Sequence, residues 1–225
     1  IIGTIGPASE DEAVLRSMIE GGMDAVRLNF SHGTYVQFAS VIECVRRLAK
    51  LLNRHIAIIQ DLQGPKIRVG KLPEGGVSVK KGQRIVLGSE VPFDYRPLAR
   101  EVRTGQTLFI DDGLIELRVD SVNSAKTEIT CTVKVGGVIK SHKGINVPGA
   151  HLSAPSLSEK DKKDIQFGLR HGVDFIALSF VKEAKDVLEL RKIIARGCSR
   201  AKVIAKIERH EAMQNIEEIV KAADA

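Results

Sequence analysis

The hydrophobic period of this chain changes twice along its length, and that limits its folds more than any other feature. Up to Pro65 the sequence alternates between strand-like and helix-like runs. Ile1 to Ile5 reads as a strand. Ser9, three residues before Glu12, carries a capping-box signal, and Val14, Leu15, Met18 and Ile19 form one helical face ended by Gly21-Gly22. Ala25 to Phe30 alternates as a second strand, with Val26, Leu28 and Phe30 on one side and Arg27, Asn29 and Ser31 on the other. A helix over about 35–52, carrying Val36, Ala39, Leu48 and Leu51, leads to a third strand, His55 to Asp61, that ends at Gln63-Gly64-Pro65. Strand, helix, strand, helix, strand predicts parallel pairing with crossover helices.

From Lys66 to Ser153 the period becomes two, broken by Gly, Pro and Asp. Asp111-Asp112-Gly113 between Thr107–Ile110 and Leu114–Val119 is a hairpin signal, and Ile129, Cys131, Val133 and Val135 alternate in the next strand. The stretch reads as a small, mostly antiparallel β-barrel inserted into the α/β unit, closed at Ser153-Ala154-Pro155. Beyond it Ser158 is placed to cap a helix holding Ile165 and Leu169. Val173–Phe180 and Lys202–Ile207 then read as the fourth and fifth strands, and Glu183–Ala195 and Glu211–Ala222 as helices. The segments are therefore 1–65 and 154–225 for the α/β part and 66–153 for the insertion. A closed (β/α)8 barrel takes eight strands. Five cannot close one, so the sheet is open or the chain is a piece of something longer.

Composition removes several classes. With 43% hydrophobic and 28% charged residues among 225, the chain can bury a core and is not a disordered tail. No apolar run is long enough to cross a bilayer. Cys44, Cys131 and Cys198 are far apart and in no metal-like spacing, and read as free buried thiols of a reducing compartment, the cytosol. The opening residues carry neither a basic stretch nor a cleavage signature, which argues against a signal peptide and for a strand entered after its start. A net charge of +6 favours anionic partners, but the signs are interspersed.

Polar residues gather at the carboxyl ends of the predicted parallel strands, where α/β proteins place their sites. Arg27, Asn29 and Ser31 in a row can hold a phosphate and a cation; equally, Arg27 is a surface charge and Ser31 the cap of the next helix. His32 alone reads as a structural histidine. Asp61 beside a Gly-Pro turn with Lys66 and Arg68 beyond it is either an anion and metal site or a turn with solvated charges. Lys206 and Glu208 share a side by the period of two. They can stabilise an enolate and bind a divalent ion, or form an ordinary exposed ion pair.

Taken in order, Ile2–Ser9 (IGTIGPAS), Val26–Gly33 (VRLNFSHG), Asp61–Arg68 (DLQGPKIR), Lys143–Gly149 (KGINVPG), Leu157–Asp161 (LSEKD) and Ala205–Glu208 (AKIE) resemble the pyruvate kinase family from one end of the chain to the other. The resemblance implies a (β/α)8 TIM barrel interrupted after its third strand by a β-barrel lid. It implies phosphoryl transfer from phosphoenolpyruvate to ADP, giving pyruvate and ATP in the last step of glycolysis. Residue by residue, Arg27 binds the transferring phosphate and Lys206 stabilises the transition state. Asn29, Phe30, Ser31, His32, Arg68 and Lys143 contact the nucleotide, and Glu208 binds Mg2+, with Mn2+ as an alternative. Asn29, Ser31, Asp61 and Leu62 surround a monovalent cation, K+ in the family. Cytoplasmic location and a homotetramer of the full-length enzyme come with the family, and neither nucleic acid nor membrane is an expected partner.

Two departures qualify the resemblance. Many members read Asp-Thr-Lys-Gly-Pro-Glu-Ile-Arg where this chain has Leu62 and Lys66 in place of Thr and Glu, as in the potassium-independent subset, whose lysine ammonium takes the place of K+. The family's sixth strand, with a second Mg2+-binding Asp, is due just past Ala225, so residues 1–225 alone are expected to be inactive. Two other readings compete. Carbon–carbon lyases acting on phosphoenolpyruvate or pyruvate also use TIM barrels and Mg2+, but lack the insertion and the Asn-Phe-Ser-His stretch. A basic β-barrel binding RNA through Lys80-Lys81 and Lys140–Lys143 has only Phe93, Tyr95 and Phe109 to stack bases.

Overall fold

The computed structural model describes residues 1–150, 153 and 155–225. Ala154, within the Ser153-Ala154-Pro155 boundary expected above, lies outside the described residues. The chain forms two compact units, Ile1–Pro65 with Pro155–Ala225, and Lys66–Ala154.

The first unit opens with β1 (Ile2–Ile5), α1 (Glu12–Glu20), β2 (Ala25–Asn29), α2 (Tyr35–Leu51) and β3 (Ala57–Asp61). Asp11, not Ser9, caps α1: its Oδ1 accepts from the Ala13 and Val14 amides, whereas the Ser9 hydroxyl closes a turn on Gly6. α2 begins with a capping box between Thr34 and Gln37, which satisfies amides that the first turn leaves unbonded. Its buried face is Val41, Ile42, Val45, Leu48 and Ala49. Val36 and Leu51, apolar residues that the sequence places in this helix, sit at its two ends and are 81% and 64% exposed.

The second unit holds β4 (Val77–Val79), β5 (Arg84–Leu87), α3 (Leu98–Glu101), β6 (Thr107–Ile110), β7 (Ile115–Val122), β8 (Ile129–Val135), β9 (Gly137–Ile139) and β10 (Ile145–Asn146). A five-stranded antiparallel sheet, β10-β6-β7-β8-β5, and the antiparallel pair β4-β9 enclose one hydrophobic core. The β6–β7 turn takes four residues rather than three. Asp111, Asp112 and Gly113 all adopt positive φ, and Leu114 stays outside the strand, 69% exposed. Phe93 and Tyr95 pack against the core of this unit instead of standing clear of it.

The first unit resumes with α4 (Glu159–Arg170), β11 (Phe175–Leu178), α5 (Ala184–Arg196), β12 (Lys202–Ala205), α6 (His210–Gln214) and α7 (Ile216–Ala222). Ser158 caps α4 together with Asp161. The single final helix expected from sequence is broken at Asn215, whose side-chain amide donates to the Lys182 carbonyl at 2.9 Å. Of the three cysteines only Cys131 is buried; Cys44 is half-buried and Cys198 exposed, which corrects their reading as a buried set.

All five strands of this unit pair in parallel in the order β1-β2-β3-β11-β12. Val26, Leu28, Ile58, Ile176, Leu178 and Val203 share one core with the helices. At about 1.5–3 kcal/mol for each large side chain fully buried, this layer dominates the stability of the unit. On the opposite face Ala25, Ile59 and Ala177 form a separate small cluster to which no helix contributes. Sequential neighbours with helices on one face only are the arrangement of a (β/α)8 barrel wall, not of a doubly wound sheet covered on both faces.

Candidate active site

The helix-free face carries the site because the strand period of two sends every second residue to it. In register, Thr4 lies beside Arg27, and Asn29 and Ala177 beside Asp61, so polar groups meet at the carboxyl ends of neighbouring strands. Asp61 ends β3 with 1% of its surface exposed. Its Oδ2 accepts from Arg27 Nε at 2.8 Å and lies 2.5 Å from Arg27 Nη2, while Arg27 Nη1 donates to Thr4 Oγ1 at 3.0 Å. Its Oδ1 accepts from Lys206 Nζ at 3.1 Å. Lys206 also donates to Ser179 Oγ at 2.9 Å and lies 3.3 Å from Glu208 Oε1. One buried carboxylate thus gathers two cations whose side chains keep 34% and 27% exposure and remain able to meet an anion.

Glu208 is fixed from the other side by the Phe180 amide, which donates to Oε2 at 3.0 Å. Phe180 has a φ of 57°, a left-handed conformation that costs a bulky residue about 1–3 kcal/mol and is found where surroundings impose it. The Arg209 guanidinium sits 5.6 Å above its ring. Lys206 and Glu208 both lie just past the end of β12, and their same-side placement survives there as an ion pair.

The other residues picked out by sequence fall into three places. Asn29 Oδ1 accepts the Ser31 amide at 3.0 Å, closing the turn after β2, so Ser31 does not extend the strand face. Asn29 and His32 line a cavity of about 540 Å3 with Thr4, Gly6, Pro7 and Gly33, at the same carboxyl ends. Phe30 and Leu62 are buried in the helical core. The Phe30 ring stacks on Phe38 at 4.1 Å, leaving only main chain to face a ligand, and the Leu62 carbonyl accepts from Ser179 Oγ at 2.6 Å. Lys66, Arg68 and Lys143 belong to the antiparallel unit. There Lys143 pairs with Asp111 at 2.9 Å, Lys66 lies 4.0 Å from Asp112, and Arg68 donates to the His142 carbonyl at 3.1 Å. Sequence reasoning passed over Thr4 and Ser179, although the strand-end rule that selected Arg27 and Asp61 applies to both.

Among the described residues no three His, Cys, Asp or Glu side chains group as a metal cage. Mg2+ is ordinarily held by one or two carboxylates together with substrate oxygens, and Glu208, a hard oxygen donor beside an anion-seeking lysine, fits that use. Of the four residues expected around a monovalent cation, three have oxygens that already accept from the protein: Asn29 Oδ1 from Ser31, both Asp61 oxygens from Arg27 and Lys206, and the Leu62 carbonyl from Ser179.

No helix among the described residues is long and apolar enough to cross a membrane. Compared with known proteins, residues 1–225 match the family model described as pyruvate kinase, barrel domain. Curated relatives include the pyruvate kinases of Geobacillus stearothermophilus, 42% identical, and of Staphylococcus aureus strain MRSA252, 40% identical; each alignment covers 100% of this chain and 40% of the relative. The chain therefore spans about 40% of the length of the curated relatives it matches. With the ordered motifs, the one-sided parallel sheet and the family match all extending over the same residues, this chain belongs to the pyruvate kinase family.

Proposed function

We propose that the complete enzyme carrying this chain transfers the phosphoryl group of phosphoenolpyruvate to ADP, that the parallel unit is its catalytic barrel, and that residues 66–153 are its lid. The observation that carries this reading is the cluster in which Arg27 and Lys206 converge on buried Asp61 at the carboxyl end of the sheet.

The reaction breaks the bond between the phosphorus and the enol oxygen of phosphoenolpyruvate and forms one to a terminal oxygen of ADP; the enolate left behind takes a proton at carbon to become pyruvate. Little covalent work falls to the protein, so positioning and charge neutralisation carry the catalysis. Arg27, a planar fork steadied by Thr4 and Asp61, binds the transferring phosphoryl group. Lys206 meets the charge that develops on the enol oxygen. Asn29 and His32, which line the cavity at the same strand ends, receive the nucleotide along the main chain of Phe30 and Ser31; the phosphate contacts of Arg68 and Lys143 follow from the family resemblance alone. Glu208 would hold Mg2+, which supplies Lewis-acid neutralisation of phosphoryl oxygens when bound. The paired occurrence of Leu62 and Lys66, which removes a carboxylate and supplies a tethered cation, favours an enzyme that works without K+, with the Lys66 ammonium as the substitute.

The test is Lys206→Met in the complete enzyme, assayed for pyruvate formation. Turnover should fall by about 10²–10³-fold or more while KM for phosphoenolpyruvate moves far less, because the lysine acts on charge present only in the transition state. Near-normal turnover removes Lys206 from this role. In the same assay wild-type rates should match in K+ and tetramethylammonium buffers; strong activation by K+ overturns the part assigned to Lys66.

A further inference from the structure

Lys206 has three ammonium protons and three acceptors, and the acceptors are not equivalent. Asp61 is shared with Arg27. Glu208 is the carboxylate assigned above to Mg2+, and a carboxylate engaged by a divalent ion is a weaker partner for a lysine. Ser179 is neutral, 2% exposed, and bonded at 2.9 Å, the shortest of the three contacts. A serine hydroxyl has one proton, and that of Ser179 goes to the Leu62 carbonyl at 2.6 Å. Its remaining lone pairs can therefore only accept from Lys206.

The hydroxyl is held on every side. Ser179 follows β11 directly, and Leu62, whose own amide is tied to the Ala177 carbonyl at 3.0 Å, follows β3. Gly64, at a φ of 67°, leaves just enough room: a Cβ there would come within 3.0 Å of Ser179 Cβ and of the Phe180 ring. The Gly64 amide is itself held by buried Asp161 at 3.1 Å. A neutral acceptor locked between two strand ends fixes where an ammonium points without lowering its charge.

We infer that Ser179 is a positioning residue for Lys206, aiming its ammonium from the Leu62 main chain. This rests on the reading of Lys206 as the group that meets the enolate. The two can fail separately.

The experiment uses the full-length enzyme with Ser179→Ala, Lys206→Met and the double variant, following turnover, KM and thermal midpoint. Ser179→Ala should lower kcat about 10-fold, the scale of a modest loss of orientation, with KM for phosphoenolpyruvate within about twofold of wild type. In the Lys206→Met background the same change should cost nothing further, since the group it aims is gone. Unchanged kcat in Ser179→Ala overturns the inference, as does an equal loss with and without Lys206, which would mean that the serine acts through packing. Should the alanine variant not fold, Ser179→Cys keeps the volume while removing most of the hydrogen bonding and gives the same comparison. If Lys206→Met is nearly inactive and Ser179→Ala is normal, only Ser179 loses its role. If Lys206→Met is itself near normal, the functional reading falls first.

Discussion

Two guanidinium–carboxylate pairs sit at opposite ends of one parallel sheet. At the amino end, Arg46 of α2 bonds Asp174, just before β11, at 2.9 Å. At the carboxyl end, Arg27 bonds Asp61 at 2.8 Å. They differ in where the remaining hydrogen-bonding capacity goes. Arg46 also donates to the Ile56 and Gly172 carbonyls at 3.2 and 2.7 Å, and Asp174 accepts the Ile58 amide at 2.7 Å. That pair is spent on main chain, and it ties α2 to the starts of β3 and β11. The Asp61 carboxylate is bonded, among the described residues, only by the side chains of Arg27 and Lys206. The lesson is that the same ion pair is structural when its spare valences end on backbone and is poised for a ligand when they end on other charges.

The sharpest way to break this comparison is to remove one charge at each end. Asp61→Asn keeps the shape but leaves Arg27 and Lys206 close together without their counter-charge. Turnover of the complete enzyme should fall about 10²–10³-fold, because both cations leave their positions. The thermal midpoint should move little, since both cations are partly exposed and can turn to water. A variant with a clearly lowered thermal midpoint but undiminished specific activity would erase the distinction. At the other end Arg46→Ala should leave kcat unchanged and lower stability by about 2 kcal/mol, a value discounted for the 39% exposure of its side chain, read as a shift in urea midpoint. A loss of activity without a loss of stability would assign the amino end a catalytic part.

Much of this contrast was legible in the sequence. Period two placed Arg27 and Asn29 on one face, and the strand-end rule found Asp61, Lys206 and Glu208, because a parallel sheet offers few places where side chains escape the helical core. The place of Ser179 at a strand end was legible by the same rule, but its role was not, because its partners lie 27 and 117 residues away. Phe30 alternated correctly, yet its ring belongs to the stack with Phe38 and its value to a ligand is confined to main chain. The break at Asn215 follows from a bond to the Lys182 carbonyl across 33 residues, which no helix pattern reports. Val36 and Leu51 show the opposite case, apolar residues at the two ends of α2 that remain exposed.

A third acid tests whether the rule holds between the two ends. Asp164 of α4 is fully buried and accepts from Tyr35 Oη at 2.7 Å and Lys160 Nζ at 2.6 Å, while Lys160 also reaches the Phe30 carbonyl at 2.7 Å. One cation is shared between this carboxylate and main chain, which makes the group structural by the same criterion. Burial of the phenol, and then its bond to the Asp164 carboxylate, push the Tyr35 pKa up to about 12. The folded value lies above the ordinary tyrosine value near 10, so the neutral phenol is the form the fold favours. This contribution to stability is complete below about pH 10 and is lost as pH rises toward 12. In the difference between the complete enzyme and its Tyr35→Phe variant, which isolates this phenol, phenolate absorbance should stay flat through about pH 10, where a free tyrosine is half ionised, and rise only beyond it. Asp164→Asn should bring the onset down without altering turnover. An onset near pH 10 in the parent, or a fall in kcat with Asp164→Asn, would mean that α4 contributes to the site and that where spare hydrogen bonds end does not divide structural acids from functional ones.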